Sequence, residues 1–338
     1  MTATLIQFAL SAVVIIVAGT ALTRFGDVIA DRTQLSGLFV GGILIAGATS
    51  LPELATDIHA VRLGSADLAV GDLMGSSLFN LAILAALDLT RFSRGRLLRS
   101  ADGNQVSVAL LSLALTTIAA VFLLVAGQAG SPTLAGLGPG PWALVIAYVA
   151  GQRLVFRHLP DDAPEQEATS PSSESQRSWI DRLGLKQAIV GYLLCAAVIL
   201  VAAPFLARSA DQLAEMSGLG GTFFGTTLVA LCTSLPEMVT TFVAVRLGAH
   251  AMALGNIFGS NCFNMAILAP LDLFHPGSLF EAVAPSHVYT ALCAILITTL
   301  ALLSLIRRTE RRSWAEPNAW HMLVAFAAAL AGLYLVRE

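Results

Sequence analysis

Charge is what this chain has least of. Only 12% of its 338 residues are Asp, Glu, Lys or Arg, against 56% hydrophobic, and lysine is reduced to the single Lys186. A soluble domain carries about a quarter charged residues. That shortage and a mean hydropathy of +0.76 exclude a water-soluble globule. No basic run offers a track for a nucleic acid, and the net charge of −3 specifies no partner. The four cysteines, Cys195, Cys232, Cys262 and Cys293, lie in apolar segments without CxxC spacing, so they read as small apolar filler. The six histidines form no HExxH or similar cluster. With no nucleophile–base pair, metal motif or phosphate loop, neither an enzyme nor a cofactor is expected.

What the chain has instead is a succession of apolar runs, each near the roughly 20 residues that cross a bilayer as a helix. Ten candidate spans follow: 4–23, 35–61, 67–89, 105–126, 139–156, 187–207, 219–245, 251–273, 286–306 and 318–336. The first lacks a positive leading segment and reads as a span rather than a cleaved signal. One stretch is clearly polar: HLPDDAPEQEATSPSSESQRSWID, residues 158–181. Its Pro, Ser and Glu content marks a disordered linker; cation binding by its acids is the alternative. The expected organisation is a five-span half at 1–157, a linker at 158–182 and a second five-span half at 183–338.

Sixteen of the 19 basic residues fall in one set of alternate loops; Arg62, Arg208 and Arg337 are the exceptions. Basic loops stay cytoplasmic, which puts both termini outside and the linker inside. Trp142, Trp179, Trp314 and Trp320 all fall near span ends, as interfacial anchors do.

A repeat runs through these spans. Residues 49–53, TSLPE, return letter for letter at 233–237, and 24 of 41 positions match between 49–89 and 233–273 at a constant offset of 184. Each half has an odd number of spans, so the second copy enters the membrane from the opposite face. Inverted repeats of this kind are a common transporter plan, although channels and structural proteins are duplicated too.

TSLPE puts Glu53 and Glu237 deep within spans, where a charge costs at least ~2.5–3.5 kcal/mol. No Lys or Arg sits mid-span to pair with them. Pro52 and Pro236 lack an N–H and therefore release the carbonyls of Ala48 and Cys232, breaking the helix. Thr49, Ser50, Thr233 and Ser234 add hydroxyl oxygens. Carboxylates among hydroxyls and freed carbonyls, without imidazole or thiolate, suit a hard cation such as Ca²⁺ or Na⁺. The next spans carry GDLMGSSLFN and GNIFGSNCFN. There Ser76 and Asn80 share one helix face, as do Ser260 and Asn264. These residues read either as helix-packing groups or, at matched depth after each glutamate, as ligands.

TSLPE followed by G[DN]xxGSxxxN, in two inverted copies at 36–89 and 220–273, resembles the α-repeats of the cation/calcium antiporter superfamily, above all its compact prokaryotic sodium/calcium exchangers. The resemblance implies an all-α integral membrane protein of ten transmembrane helices in two inverted five-helix repeats, both termini outside, in the plasma (inner) membrane of a prokaryote. It implies exchange of about three Na⁺ for one Ca²⁺ by alternating access, with the first and sixth spans sliding across the rest. By motif position, Glu53 and Glu237 would hold Ca²⁺ with the backbone carbonyls of Thr49 and Thr233. Thr49, Ser50, Ser76, Thr233, Ser234 and Ser260, with the carbonyls of Ala46 and Ala230, would form Na⁺ sites; Asn80 and Asn264 would close the centre. Asn264, where potassium-dependent members carry Asp, implies K⁺ independence.

The expected partners are Ca²⁺, Na⁺, H⁺ as a competitor, and the lipid bilayer, with no nucleic acid and no obligate protein partner. The nearest rival is a proton-coupled Ca²⁺ antiporter of the same fold. A Na⁺-coupled symporter of an organic solute lacks the mid-span Arg or aromatic box it would need. Asp57, where the second copy has Thr241, reads as a solvated acid at the outer end of its span, with a third carboxylate near an ion entry as the alternative. Asp72, against Asn256, has no assigned role. Asp88 and Asp272 match at span ends and read as caps or interface anchors.

Overall fold

The computed structural model describes residues 2–90, 92, 93, 95, 97–99, 103–125, 134, 136–157, 179–216, 231–307 and 318–336. These form helices α1 (Thr2–Thr33), α2 (Gly37–Arg62), α3 (Ala66–Asp88), α4 (Gly103–Val125), α5 (Pro139–Arg157), α6 (Leu185–Met216), α7 (Leu235–Leu247), α8 (His250–Phe274), α9 (Ser286–Arg307) and α10 (Ala319–Val336). Seven of them are long and apolar enough to cross a membrane: α1 to α4, α6, α8 and α9.

The sequence offset of 184 reappears in the helix bounds. Shifted by that number, Ala66–Asp88 becomes 250–272 against His250–Phe274, and Thr2–Thr33 becomes 186–217 against Leu185–Met216. Most span limits fall within two residues of those expected from hydropathy. The exceptions are α1 and α6, each 32 residues long where spans of about 20 were expected. The apolar run ends near Arg24, but the helix continues through Asp27 and Asp31, because hydropathy stops at the bilayer and backbone hydrogen bonding does not. At ~1.5 Å per residue such a helix is ~48 Å long, well beyond the ~30 Å of hydrocarbon; it tilts or projects into water. Of the predicted span 219–245, only the part from residue 231 onward lies among the described residues. The polar stretch 158–178 lies outside them. Its end, expected as linker, is a short 3₁₀ turn at Trp179–Arg182.

Burial separates two kinds of helix. In the most apolar window, α3 is 78% and α8 72% buried within the protein, whereas α1 and α6 are 28% buried. So α3 and α8 form the centre. The helices α1 and α6 pack along one another at the periphery, and α1 turns Leu5, Ile6, Leu10 and Val17 outward.

The helix break expected at Pro52 is not where the chain relaxes. Helix α2 passes through Pro52 without interruption; its irregularity is a π-helical turn upstream, Val40–Ile45. The second copy behaves differently. Ser234 is a turn (φ −79°, ψ 3°), and α7 starts immediately after it with Pro236 in its first turn, where no N–H is needed. The π turn is placed by packing. Gly41 and Gly42 press directly on the backbone of α8: a Cβ on Gly41 would lie 2.1 Å from the Met252 carbonyl oxygen, and one on Gly259 would lie 2.4 Å from that of Gly42. Only glycine allows this approach. The widened turn also leaves the Leu44 carbonyl accessible to the Tyr192 hydroxyl of α6, which donates to it.

Gly259→Val should therefore force α2 and α8 apart, costing about 1–3 kcal/mol by overpacking. Thermal unfolding of the detergent-purified protein should show a lower midpoint than wild type, whereas Gly103→Ala, whose Cβ meets nothing within 4 Å, should not.

Candidate functional site

Helices α2, α3, α7 and α8 converge where the two TSLPE copies meet. Eleven of the twelve residues singled out from the sequence are described there, and none is more than 5% exposed: Ala46, Thr49, Ser50, Glu53, Ser76, Asn80, Thr233, Ser234, Glu237, Ser260 and Asn264. Ala230 lies outside the described residues.

The contacts cross from one half to the other. Ser50 Oγ donates to Glu237 Oε1 at 3.4 Å, and Thr49 also faces that carboxylate. Thr233 Oγ1 lies 3.4 Å from Ser76 Oγ and donates to Asp72 Oδ1 at 3.1 Å. Asn80 Nδ2 donates to Asn261 Oδ1 at 3.0 Å, and Asn261 Nδ2 donates to the Ser77 carbonyl at 3.2 Å. The charge of Glu237 acts directly on Glu53, as do those of Asp72 and Asp57. So the structure joins Thr49, Ser50, Ser76, Thr233, Glu53 and Glu237. Ser234, Ser260 and Asn264 are buried beside them without a hydrogen bond to another member of the set.

These hydrogen bonds leave oxygens pointing inward. The single proton of the Thr49 hydroxyl is within reach of the carbonyls of Ile45 (3.0 Å) and Ala46 (3.3 Å). Six of the buried oxygens without a hydrogen-bond partner among the described residues belong to side chains singled out from the sequence: Glu53 Oε2, Glu237 Oε2, Ser234 Oγ, Ser260 Oγ, Asn80 Oδ1 and Asn264 Oδ1. Buried polar atoms are nearly always paired, and an unpaired carboxylate oxygen is among the costliest exceptions. Two carboxylates, two hydroxyls and two amide oxygens match in kind the hard-oxygen shell of Ca²⁺ or Na⁺. Among the described residues, no group of three or more His, Cys, Asp or Glu side chains is poised to hold a metal. The donor set instead fills out two glutamates with neutral oxygens, which suits an ion that must leave again.

Some polar residues of the site were not anticipated. Asn261 holds Asn80 in place, and Asn256 Nδ2 donates to Thr241 Oγ1 (2.8 Å) and Thr240 Oγ1 (2.9 Å), tying α8 to α7. Their signal was available: both are amides in the middle of an apolar span. One expectation is corrected. Asp57 is not a solvated acid at the outer end of its span but is 1% exposed, because α2 continues past Pro52 and turns that face onto α3. Asp72 is also buried. The matched pair Asp88 and Asp272 cap loops as expected. Asp88 accepts from the Ser93 hydroxyl and the Leu98 N–H; Asp272 accepts from the N–H groups of Gly138 and Leu279.

The family described as sodium/calcium exchanger protein matches residues 3–149 and 187–336. The sodium/calcium exchanger MaX1 of Methanosarcina acetivorans is 34% identical over 148 residues, 44% of this chain and 41% of that protein. The inner membrane protein YrbG of Escherichia coli is 29% identical over 262 residues, 77% of this chain and 76% of that protein. Among solved structures, the sodium-calcium exchanger NCX_Mj superposes with a TM-score of 0.70 over 98% of this chain and 100% of that one, at 20% identity, a likeness of fold.

Asn261 touches the site only through Asn80. Asn261→Ala should release the Asn80 amide and weaken cation binding about 10-fold, the usual scale for a group that orients a ligand. Calcium titration of the purified variant, with a melting curve to confirm folding, reads this directly.

Proposed function

Since the chain belongs to the sodium/calcium exchanger protein family, we propose that it is a secondary active antiporter exchanging Na⁺ for Ca²⁺ by alternating access, electrogenically and without K⁺. The observation that carries this reading is the interlock between the halves: Ser50 of the first copy reaches Glu237 of the second, while Thr233 of the second reaches Ser76 and Asp72 of the first. A site assembled from both inverted halves lies where they meet, and movement of one group of helices past the rest exposes such a site to each face in turn.

In this reading the chain is a multi-pass protein of a prokaryotic inner membrane. It has ten spans, in two inverted five-span repeats at 1–157 and 183–338 joined by a cytoplasmic linker at 158–182, with both termini outside. Glu53 and Glu237 hold Ca²⁺ with the carbonyls of Thr49 and Thr233. Thr49, Ser50, Ser76, Thr233, Ser234 and Ser260, with the carbonyls of Ala46 and Ala230, hold Na⁺; Asn80 and Asn264 close the centre. The two long helices α1 and α6 slide together. Their low burial supports this, since a helix facing lipid along most of its surface shifts without opening the core. Two ionised glutamates balance one Ca²⁺; more than two Na⁺ in exchange carry net positive charge. The bare, doubly charged site is too costly to move through the bilayer, so transport is obligatory exchange. Asn264 in place of an acid supports independence from K⁺.

The rival reading is proton-coupled Ca²⁺ antiport, favoured by the further buried acids Asp57 and Asp72. Liposomes loaded with Na⁺ and diluted into Na⁺-free medium with labelled Ca²⁺ distinguish the two. Uptake that requires internal Na⁺, rises with an inside-negative potential and is unchanged by K⁺ is the expected result; uptake driven by a proton gradient alone would replace Na⁺ by H⁺ as the coupling ion. Glu53→Gln and Glu237→Gln should each abolish exchange in folded protein. Protons compete with cations for neighbouring carboxylates that titrate together, so the rate should fall as pH drops from about 8 to about 5. A flat profile would break the link between the glutamates and Ca²⁺.

A further inference from the structure

The offset of 184 makes each half a control for the other. Asp57 on α2 corresponds to Thr241 on α7, and Asp72 on α3 to Asn256 on α8. In the second half the pair is neutral and closed: Asn256 Nδ2 donates to Thr241 Oγ1 at 2.8 Å. In the first half the same two positions are acids. Asp57 is 1% and Asp72 9% exposed, and each leaves its Oδ2 without a hydrogen-bond partner among the described residues. The charge of Asp72 acts on Asp57. No ion pair to either carboxylate occurs among the described residues. Packing does not require acids here, because the same chain fills the equivalent positions with an amide and a hydroxyl.

Two buried carboxylates on packed neighbouring helices, without a basic partner among the described residues, are stabilised either by protonation or by a cation between them. We propose that Asp57 and Asp72 of the first half, with the Thr233 hydroxyl of the second, form a further site for a hard cation, Na⁺ or Ca²⁺, beside the Glu53–Glu237 centre, with no counterpart at Thr241 and Asn256. The donors are all oxygen, which excludes softer metals. Thr233 connects the two sites: it donates to Asp72 at 3.1 Å and lies 3.4 Å from Ser76. An ion on the aspartates therefore draws on the same hydroxyl that the central site uses, and occupancy of one site bears on the other. This inference rests on reading the glutamate pair as a cation centre.

Equilibrium dialysis of the purified full chain against labelled Ca²⁺ and, separately, labelled Na⁺ tests it. The double variant Asp57→Thr, Asp72→Asn copies the Thr241–Asn256 pair that the chain already folds around. It should bind one cation fewer per chain than wild type, and the tracer that falls identifies the ion. Asp57→Asn alone, nearly isosteric, should weaken the same ion at least about tenfold, and decides the matter if the double variant does not fold. Glu237→Gln should lose the central ion and keep this one. Unchanged binding of both tracers in folded Asp57 variants would overturn the proposal; unchanged binding in Glu237→Gln alone would instead overturn the reading of the central site.

Discussion

Buried negative charge that no basic side chain among the described residues answers is the constraint from which the rest of this molecule follows. Glu53 and Glu237 are each 1% exposed, among apolar helices. A carboxylate in such a medium is stable when paired, protonated or bound to a cation. Among the described residues no ion pair reaches either glutamate; the His287–Asp67 pair lies away from them. Everything around the carboxylates is consistent with the third possibility. The Ser50 hydroxyl of the opposite half donates to Glu237, and the amide oxygens of Asn80 and Asn264 receive no hydrogen bond among the described residues.

The helix packing serves the same constraint. Bringing two glutamates from distant parts of the chain to one place requires the helices that carry them, and those that face them, to come close. The glycine contacts between α2 and α8 achieve this at backbone-to-backbone range. The cost is regular helix geometry, and α2 meets it with a π turn at Val40–Ile45 rather than with a break at Pro52. A π turn holds one extra residue per loop of hydrogen bonding and so leaves a carbonyl for another donor; here Tyr192 takes that of Leu44.

What was legible in the sequence is what depends on local chemistry repeated twice. Most helix ends followed from hydropathy, since apolar runs and polar breaks are written residue by residue. The site residues followed from polarity at matched depth, since each polar group inside an apolar span must have a reason. The parts that were not legible depend on facing geometry. A proline marks a missing N–H, but whether the helix breaks there or deforms elsewhere is decided by its neighbour, here the glycine-lined surface of α8. Likewise Asp57 sits one turn from Glu53, and its depth depended on where α2 ends and which face it turns to α3; nothing in the one-dimensional pattern fixed either. Helices α1 and α6 outran their predicted spans for a related reason, because polarity ends the membrane segment without ending the helix.

The departures from internal symmetry carry the most information about this particular chain. Duplication would supply identical halves, and the motifs shared between 49–89 and 233–273 show how closely the copies have kept to each other. Where they differ at buried positions, the difference has a physical direction. Ser77 bonds its own helix at Leu73, whereas its counterpart Asn261 reaches across to Asn80. Asn256 donates to Thr241, whereas Asp57 and Asp72 each leave a carboxylate oxygen without a partner among the described residues. The first half is thus the more negative one at the centre, and the second half supplies the amides and the Thr233 hydroxyl that reach into it. The centre is therefore not symmetric between the halves, even though the fold that carries it repeats one unit twice.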